Sequence, residues 1–133
     1  MAGYSDTPLP KKLGIKAGFR VALQNVPAEA KAELKDALAL CRIVRRGPFD
    51  FVLLCVKSKS QLQKNFSRLA KQLVPAGMIW VSWPKKSSGV ITDLGESQVR
   101  SLGLDAGLVD VKVCAVSDVW SALKFVIRLK DRN

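Results

Sequence analysis

The stretch FVLLCV, Phe51 to Val56, sits between Asp50 and the polar run KSKS and contains six apolar residues in succession. A half-buried strand alternates polar and apolar side chains, so an unbroken run of this length fits a strand covered on both faces, as in the middle of a parallel sheet. After it comes SKSQLQKNFSRLAKQL (58–73), where Ser58 and Gln61 have capping-box spacing and Leu62, Phe66, Leu69 and Leu73 line one helical stripe. PAG (75–77) is expected to stop that helix. A second apolar run, MIWVSW (78–83), follows at once. Strand, helix and strand in this order predict two adjacent, central, parallel strands.

Upstream, FRVALQNV (19–26) reads as a strand and PAEAKAELKDALAL (27–40) as the helix after it, with Glu29 early, as the helix dipole prefers. CRIVRR (41–46) is a short further strand. Only GPF (47–49) separates it from the apolar run, too little for a full parallel crossover of about a dozen residues. Either 41–46 is a short edge strand with a quick return, or it runs antiparallel. The placement of Arg45 and Arg46 depends on which, and both options stand. Downstream, Asp93 and Glu96 have D-x-x-E spacing and are expected to cap a short helix ending near Gly103. LVDVKVCAV (108–116) and ALKFVIRL (122–129) alternate in polarity and are joined by SDVWS, which predicts an antiparallel hairpin. With no internal repeat, the chain reads as a polar, proline-bearing N-terminal arm, 1–18, and one α/β domain, 19–133. The expected architecture is three layers around a mainly parallel sheet that ends in a C-terminal antiparallel hairpin.

Composition narrows the chemistry. At 133 residues, 48% hydrophobic and 25% charged, the chain is long enough for a core of its own. It has no histidine, which removes the Ser-His-Asp triad, the Cys-His pair and the ordinary zinc site. The three cysteines are Cys41, Cys55 and Cys114, widely spaced in strand-like runs, so they read as small hydrophobes rather than a disulfide or metal framework. No run approaches the roughly 20 apolar residues of a membrane span, and the N-terminal stretch lacks a signal-peptide core, so the expected location is the cytoplasm. The net charge of +11 leaves open an anionic small molecule, an acidic protein partner or nucleic acid, and no membrane.

The order of strand, helix, PAGMIWVSWPK, helix and terminal hairpin, over roughly Asp50 to Leu129, resembles the second half of the Rossmann-like methyltransferases. YSDTPLPKKLGIKAG (4–18) and WVSWPKKSSGVITDL (80–94) resemble an uncharacterised bacterial family, a domain of unknown function. Together these resemblances imply a small bacterial Rossmann-like protein and bring no catalytic residues with them. The chain also departs from the methyltransferases. Their loop after the first strand is glycine-rich so that backbone can approach the cofactor, whereas LQNVPAE (23–29) has no glycine and carries Pro27. KSKS at the end of the apolar strand lacks the Asp/Asn-Pro-Pro-aromatic pattern of the amino-group methyltransferases. S-adenosylmethionine is therefore not expected to bind, and no cofactor is assigned.

Ligands of open parallel sheets sit outside the carboxyl ends of the strands. Two such ends carry KSKS and PKKSSG, so Lys57, Ser58, Lys59, Lys85, Lys86, Ser87 and Ser88 are expected to form an anion-receptive rim beside the Ser58-capped helix. Turn chemistry and solvated lysines explain the same residues without a ligand. Trp80 and Trp83 point to opposite faces of one strand; Trp80 reads as core, and Trp83, at the strand mouth, as the floor of a pocket. Trp120 falls in the hairpin turn. Tyr4 and the PLPKK arm read either as a tail or as a lid over the crevice. Asp93 could serve as a base beside Lys86, though its capping spacing accounts for it. No catalytic or metal-binding set emerges, so the reading leans toward a non-catalytic binding or interaction module. A nucleic-acid-binding protein and a degenerate methyltransferase-like enzyme are the alternatives. The sequence sets neither the ligand nor the oligomeric state.

Overall fold

A computed structural model describes residues 7–132 of the chain. In chain order they form α1 (Leu9–Leu13), β1 (Arg20–Gln24), α2 (Ala28–Leu38), β2 (Arg42–Ile43), β3 (Phe49–Cys55), α3 (Lys59–Ala70), β4 (Leu73–Pro84), α4 (Glu96–Asp105), β5 (Leu108–Ala115) and β6 (Trp120–Ile127). The six strands make one sheet in the order β2-β1-β3-β4-β6-β5. β2, β1, β3 and β4 are parallel, while β6 runs antiparallel to both β4 and β5. Among the described residues no helix is long and apolar enough to cross a membrane.

The apolar run is the centre of this sheet, for the physical reason its pattern gives. Val52 and Leu54 face one layer, with Leu62, Phe66 and Leu69 of α3 and Val99 of α4. Phe51, Leu53 and Cys55 face the other, with Leu9 and Leu13 of α1 and Ala30 and Leu34 of α2. Side chains successive along a strand point to opposite faces, so both sets must be apolar where helices cover both sides. Phe51 to Cys55 lie in parallel register with Met78 to Ser82, as predicted.

Three local expectations are decided or changed. The strand at 41–46 is two residues long, parallel to β1 and at the sheet edge, which decides between the two options for this segment. Its return runs to the amino end of β4, where the Gly47 N–H donates to Gln72 Oε1 at 2.8 Å and the Phe49 N–H donates to the Gln72 carbonyl at 2.8 Å. Arg45 and Arg46 are exposed on that return, away from the carboxyl edge.

PAG does not terminate α3, which ends at Ala70; Leu73 and Pro75–Gly77 belong to β4. Phe49 pairs with Leu73 and Phe51 with Met78, so residues 74–77 bulge out of the ladder. Gly77 closes the bulge where a Cβ would come within 2.9 Å of the Phe49 carbonyl oxygen. α4 ends near Gly103 as expected, at Asp105, with Gly103 in its last turn. It lies inside the helix because any Cβ there would overlap the Phe125 ring. Finally, PLPKK is neither a tail nor a lid. From Leu9 the arm forms α1, whose Leu9 and Leu13 are buried, and the Trp80 indole N–H donates to the Leu13 carbonyl at 2.9 Å. Tyr4 lies outside the described residues.

Candidate functional site

The chain leaves the carboxyl ends of β1 and β3 in opposite directions. α2 leads from β1 out to the edge strand β2, and α3 leads from β3 to β4 on the other side. The gap between β1 and β3 is therefore the topological switch point, where open α/β sheets bind ligands.

A cleft of about 580 Å³ opens there. One wall is the turn after β1, where Asn25 adopts the left-handed conformation at φ 58° and Pro27 leads into α2 at φ −59°. Cys55, Val56 and Lys57 form the end of β3, Gln61 comes from α3, Val90 from the loop after β4, and Val119 and Trp120 from the start of β6. The lining is apolar on the valine and tryptophan side and polar at Asn25, Glu29, Lys57 and Gln61, and its size is that of a small-molecule site. Burial pushes the Cys55 thiol up to about 12, against a hydrogen bond from Ser82 that lowers it. At neutral pH it is a protonated thiol on the cleft floor and no nucleophile. Cys41 and Cys114 are half-buried and, like Cys55, free.

The predicted rim is brought to one edge of the sheet, because β3 and β4 are adjacent and parallel, but its backbone N–H groups and the Ser58 and Ser88 hydroxyls are already engaged. Ser58 Oγ accepts the Gln61 N–H at 3.1 Å, and Gln61 Oε1 accepts the Lys57 N–H at 2.8 Å. The Lys59 N–H, in the first turn of α3, donates to Asp93 Oδ1 at 2.8 Å. Asp93 thus caps α3, while α4 starts from Gly95 with no side-chain cap. Thr92 Oγ1 donates to the Lys57 carbonyl at 2.6 Å, Ser88 Oγ donates to the Lys85 carbonyl at 2.6 Å, and the Lys85 N–H donates to the Val119 carbonyl at 2.7 Å. This is why a core strand opens onto PKKSSGVITD: the loop crosses the end of β3 and closes the amino end of α3 with a carboxylate. Lys57 lines the switch-point cleft, whereas Lys59 lines a separate groove of about 600 Å³ between α3 and α4. Lys86 and Ser87 are exposed on the loop itself. The α3/α4 groove is slightly larger, but it lies on the outer helical layer, away from the strand ends, so the switch-point cleft is the better site.

Trp83 is not at a mouth. It is 5% exposed and packs with Leu94 and Val99 in the α3/α4 layer. The cleft's aromatic is Trp120, 7% exposed, which belongs to β6 rather than to the turn and pairs with Pro84. The alternation of WSALKFVI carries that signal, since it puts Trp120 and Ala122 on the face opposite Leu123 and Phe125.

A six-stranded, mostly parallel sheet with an antiparallel C-terminal pair, open at the switch point, is a Rossmann-like α/β fold. Among solved structures it is similar to magnesium protoporphyrin IX methyltransferase (ChlM) from Synechocystis PCC 6803 with bound SAH. The TM-score is 0.60 at 13% identity, over 84% of this chain and 75% of that one. A SAM dependent methyltransferase from Aquifex aeolicus gives 0.57 at 15% identity, over 90% and 88%. A TehB-like SAM-dependent methyltransferase from Corynebacterium glutamicum gives 0.57 at 8%, over 96% and 91%. At these identities the likeness is one of fold. No protein-family model and no curated protein matches the sequence.

Proposed function

We propose that the protein is a degenerate member of the methyltransferase-related fold that binds a small organic molecule in the cleft between the carboxyl ends of β1 and β3. The observation that carries this reading is the position of the cleft, which opens at the switch point of the sheet with the volume and mixed lining of a ligand site. Similar folds with SAH or SAM bound support it from outside. The turn into the cleft supports the degenerate part. Asn25 and Pro27 put side chains where a glycine-rich loop would let backbone approach a cofactor, and Pro27 removes a backbone donor at the start of α2. Glu29 sets a carboxylate in the first turn of α2, the place that would otherwise draw an anionic group. The ionisable side chains lining the cleft are Glu29, Cys55 and Lys57, and the thiol is protonated, so binding is favoured over acid–base catalysis. A flat, neutral or cationic ligand set against Trp120 fits this lining. The same reading makes the chain a cytoplasmic protein of the bacterial family that its residues 4–18 and 80–94 resemble.

The test combines calorimetry with S-adenosylmethionine and SAH and a thermal-shift screen of nucleosides and other aromatic metabolites. It uses the wild type and Val119→Trp, which fills the cleft mouth from a half-buried turn position. The expected result is no micromolar affinity for either sulfur compound and a stabilising hit from the screen that Val119→Trp abolishes. Micromolar SAH binding that Val119→Trp removes overturns the degenerate reading in favour of an active methyltransferase. Hits untouched by the substitution overturn the cleft as the site. A second reading, binding of a multivalent anion at the Lys57/Lys85 rim, is supported by the adjacency of β3 and β4. It weighs less because Asp93 already occupies the α3 terminus.

A further inference from the structure

On the α1 side of the sheet, away from the switch-point cleft, positive charge converges. Lys112 of β5 and Lys124 of β6 are direct partners in the antiparallel ladder, an arrangement of like charges that destabilises a sheet. Lys124 is half-buried, with Trp80 as its partner on the other flank. Burial, then Lys112, then Lys16, lower its pKa below the ordinary lysine value. The neighbouring Asp110 does not help, because it turns to the opposite face and takes the Arg100 guanidinium at 2.9 Å. No described carboxylate lies within ion-pair distance of Lys16, Lys112 or Lys124.

Of these lysines, Lys112 borders a cleft. Lys11 and Lys12 of α1 face Lys112 and Cys114 of β5 across about 460 Å³. Two of the stems are held in place: Lys12 Nζ donates to the Ala115 carbonyl at 2.6 Å, and Lys112 Nζ donates to the Lys12 carbonyl at 3.3 Å. Like charges opposite one another, the half-buried Lys124 against the exposed Lys112, are a cost to folding unless something compact and strongly negative sits beside them. The ammonium is a point charge with several donors, and a phosphate oxygen cluster matches it better than a single carboxylate does.

We propose that the cleft between α1 and β5 is a binding site for a phosphate group, held by Lys112 with Lys11 and Lys12 of α1, and backed by Lys124, the ladder partner of Lys112. The inference is independent of the ligand in the switch-point cleft, since the lining residues differ. The phosphate belongs either to a small phosphorylated metabolite or to a nucleic-acid backbone, and the experiment separates the two.

Inorganic phosphate, pyrophosphate, a nucleoside monophosphate and a fluorescein-labelled single-stranded RNA are titrated against three proteins of the full chain: wild type, Lys112→Gln/Lys124→Gln, and Lys64→Gln/Lys71→Gln. The last pair lies on and just after α3, carries the same change in net charge, and is exposed. Removing a like-charge pair should leave the first variant melting no lower than wild type in chloride. Should the double variant nevertheless fail to fold, Lys112→Gln alone, at an exposed position, carries the test. The expected result is that Lys112→Gln/Lys124→Gln loses roughly tenfold or more in affinity for the phosphate probes while Lys64→Gln/Lys71→Gln stays within about twofold, the scale on which a charged hydrogen bond acts. Tight binding of the small probes identifies a metabolite site. Binding confined to RNA, falling steeply with salt, identifies a backbone site. Equal losses in the two variants, or no binding of any probe at millimolar concentration, overturn the proposal.

Discussion

Gly103 shows how one residue can carry two readings. In the sequence a glycine near the end of an amphipathic segment signals a C-cap, whereas here it lies within the last turn of α4, where Phe125 of β6 fills the space a side chain would need. That ring also meets Phe66 edge to face, with centroids 5.4 Å apart at 78°, so it cannot yield without disturbing α3. Gly103→Ala gains helix propensity and loses far more to overlap. It is expected to destabilise the protein by about 1–3 kcal/mol, the range for forcing extra volume into a packed core, read as a lower urea midpoint with an unchanged slope. An unchanged or raised midpoint would show that α4 can slide away from the sheet. The two tryptophans teach the same lesson for the site. Trp83 lies near the end of one apolar segment and Trp120 opens another, and nothing in single-residue chemistry separates the one buried under α3 and α4 from the one facing the cleft. The alternation of WSALKFVI sets the face of Trp120, and the pairing of Pro84 with Trp120, a contact across 36 positions of sequence, brings it to the strand end.

At the scale of elements, what periodicity can express was legible and what depends on tertiary partners was not. The central pair β3 and β4, the helix between them and the terminal hairpin follow from runs and alternation, and each is where its pattern puts it. The bulge at 74–77, the two-residue β2 and the helix α1 in the proline-bearing arm were not legible, because each is stabilised by a distant group: Phe49, β1 and the Trp80 indole respectively. Asp93 belongs with them. Its spacing to Glu96 suggests a local cap on α4, yet the carboxylate reaches 34 residues back in sequence to the amino end of α3, fixing the long loop across the end of β3. Asp93→Ala removes one acceptor from the first turn of α3 and releases the loop. The expected loss is about 1 kcal/mol by denaturant titration, with Asp93→Asn retaining most of it, since an asparagine oxygen can accept the same bond. An equal loss from both would mean that the charge at the helix dipole, not the hydrogen bond, is what matters there. Hydrogen exchange of the Lys59 amide should accelerate in the alanine variant and report the released cap directly.

The molecule as a whole is governed electrostatically by its excess of positive charge. Twenty-two Lys and Arg oppose eleven Asp and Glu, and the described ion pairs converge on Arg100, which takes Glu96 at 2.6 Å and Asp110 at 2.9 Å. Lys112 and Lys124 face each other in the sheet, and neither meets a described carboxylate. Self-repulsion of this sort weakens the compact state, and it is screened over a Debye length of about 10 Å at 0.1 M salt, less than the width of the domain. Added salt relieves many weak repulsions and weakens few attractions, so the sign is clear: the melting temperature should rise as sodium chloride goes from low to physiological concentration. Sulfate and chloride at matched ionic strength then separate diffuse screening from a site at the rim. If Lys57 and Lys85 hold an anion, sulfate stabilises the wild type beyond chloride, and Lys85→Ala/Lys86→Ala loses that surplus while keeping the chloride response. A surplus that survives in the double variant removes the rim as an anion site. A melting temperature that is flat or falling with chloride would mean that the few ion pairs outweigh the excess charge, and with it the premise that this surface is electrostatically strained would fall.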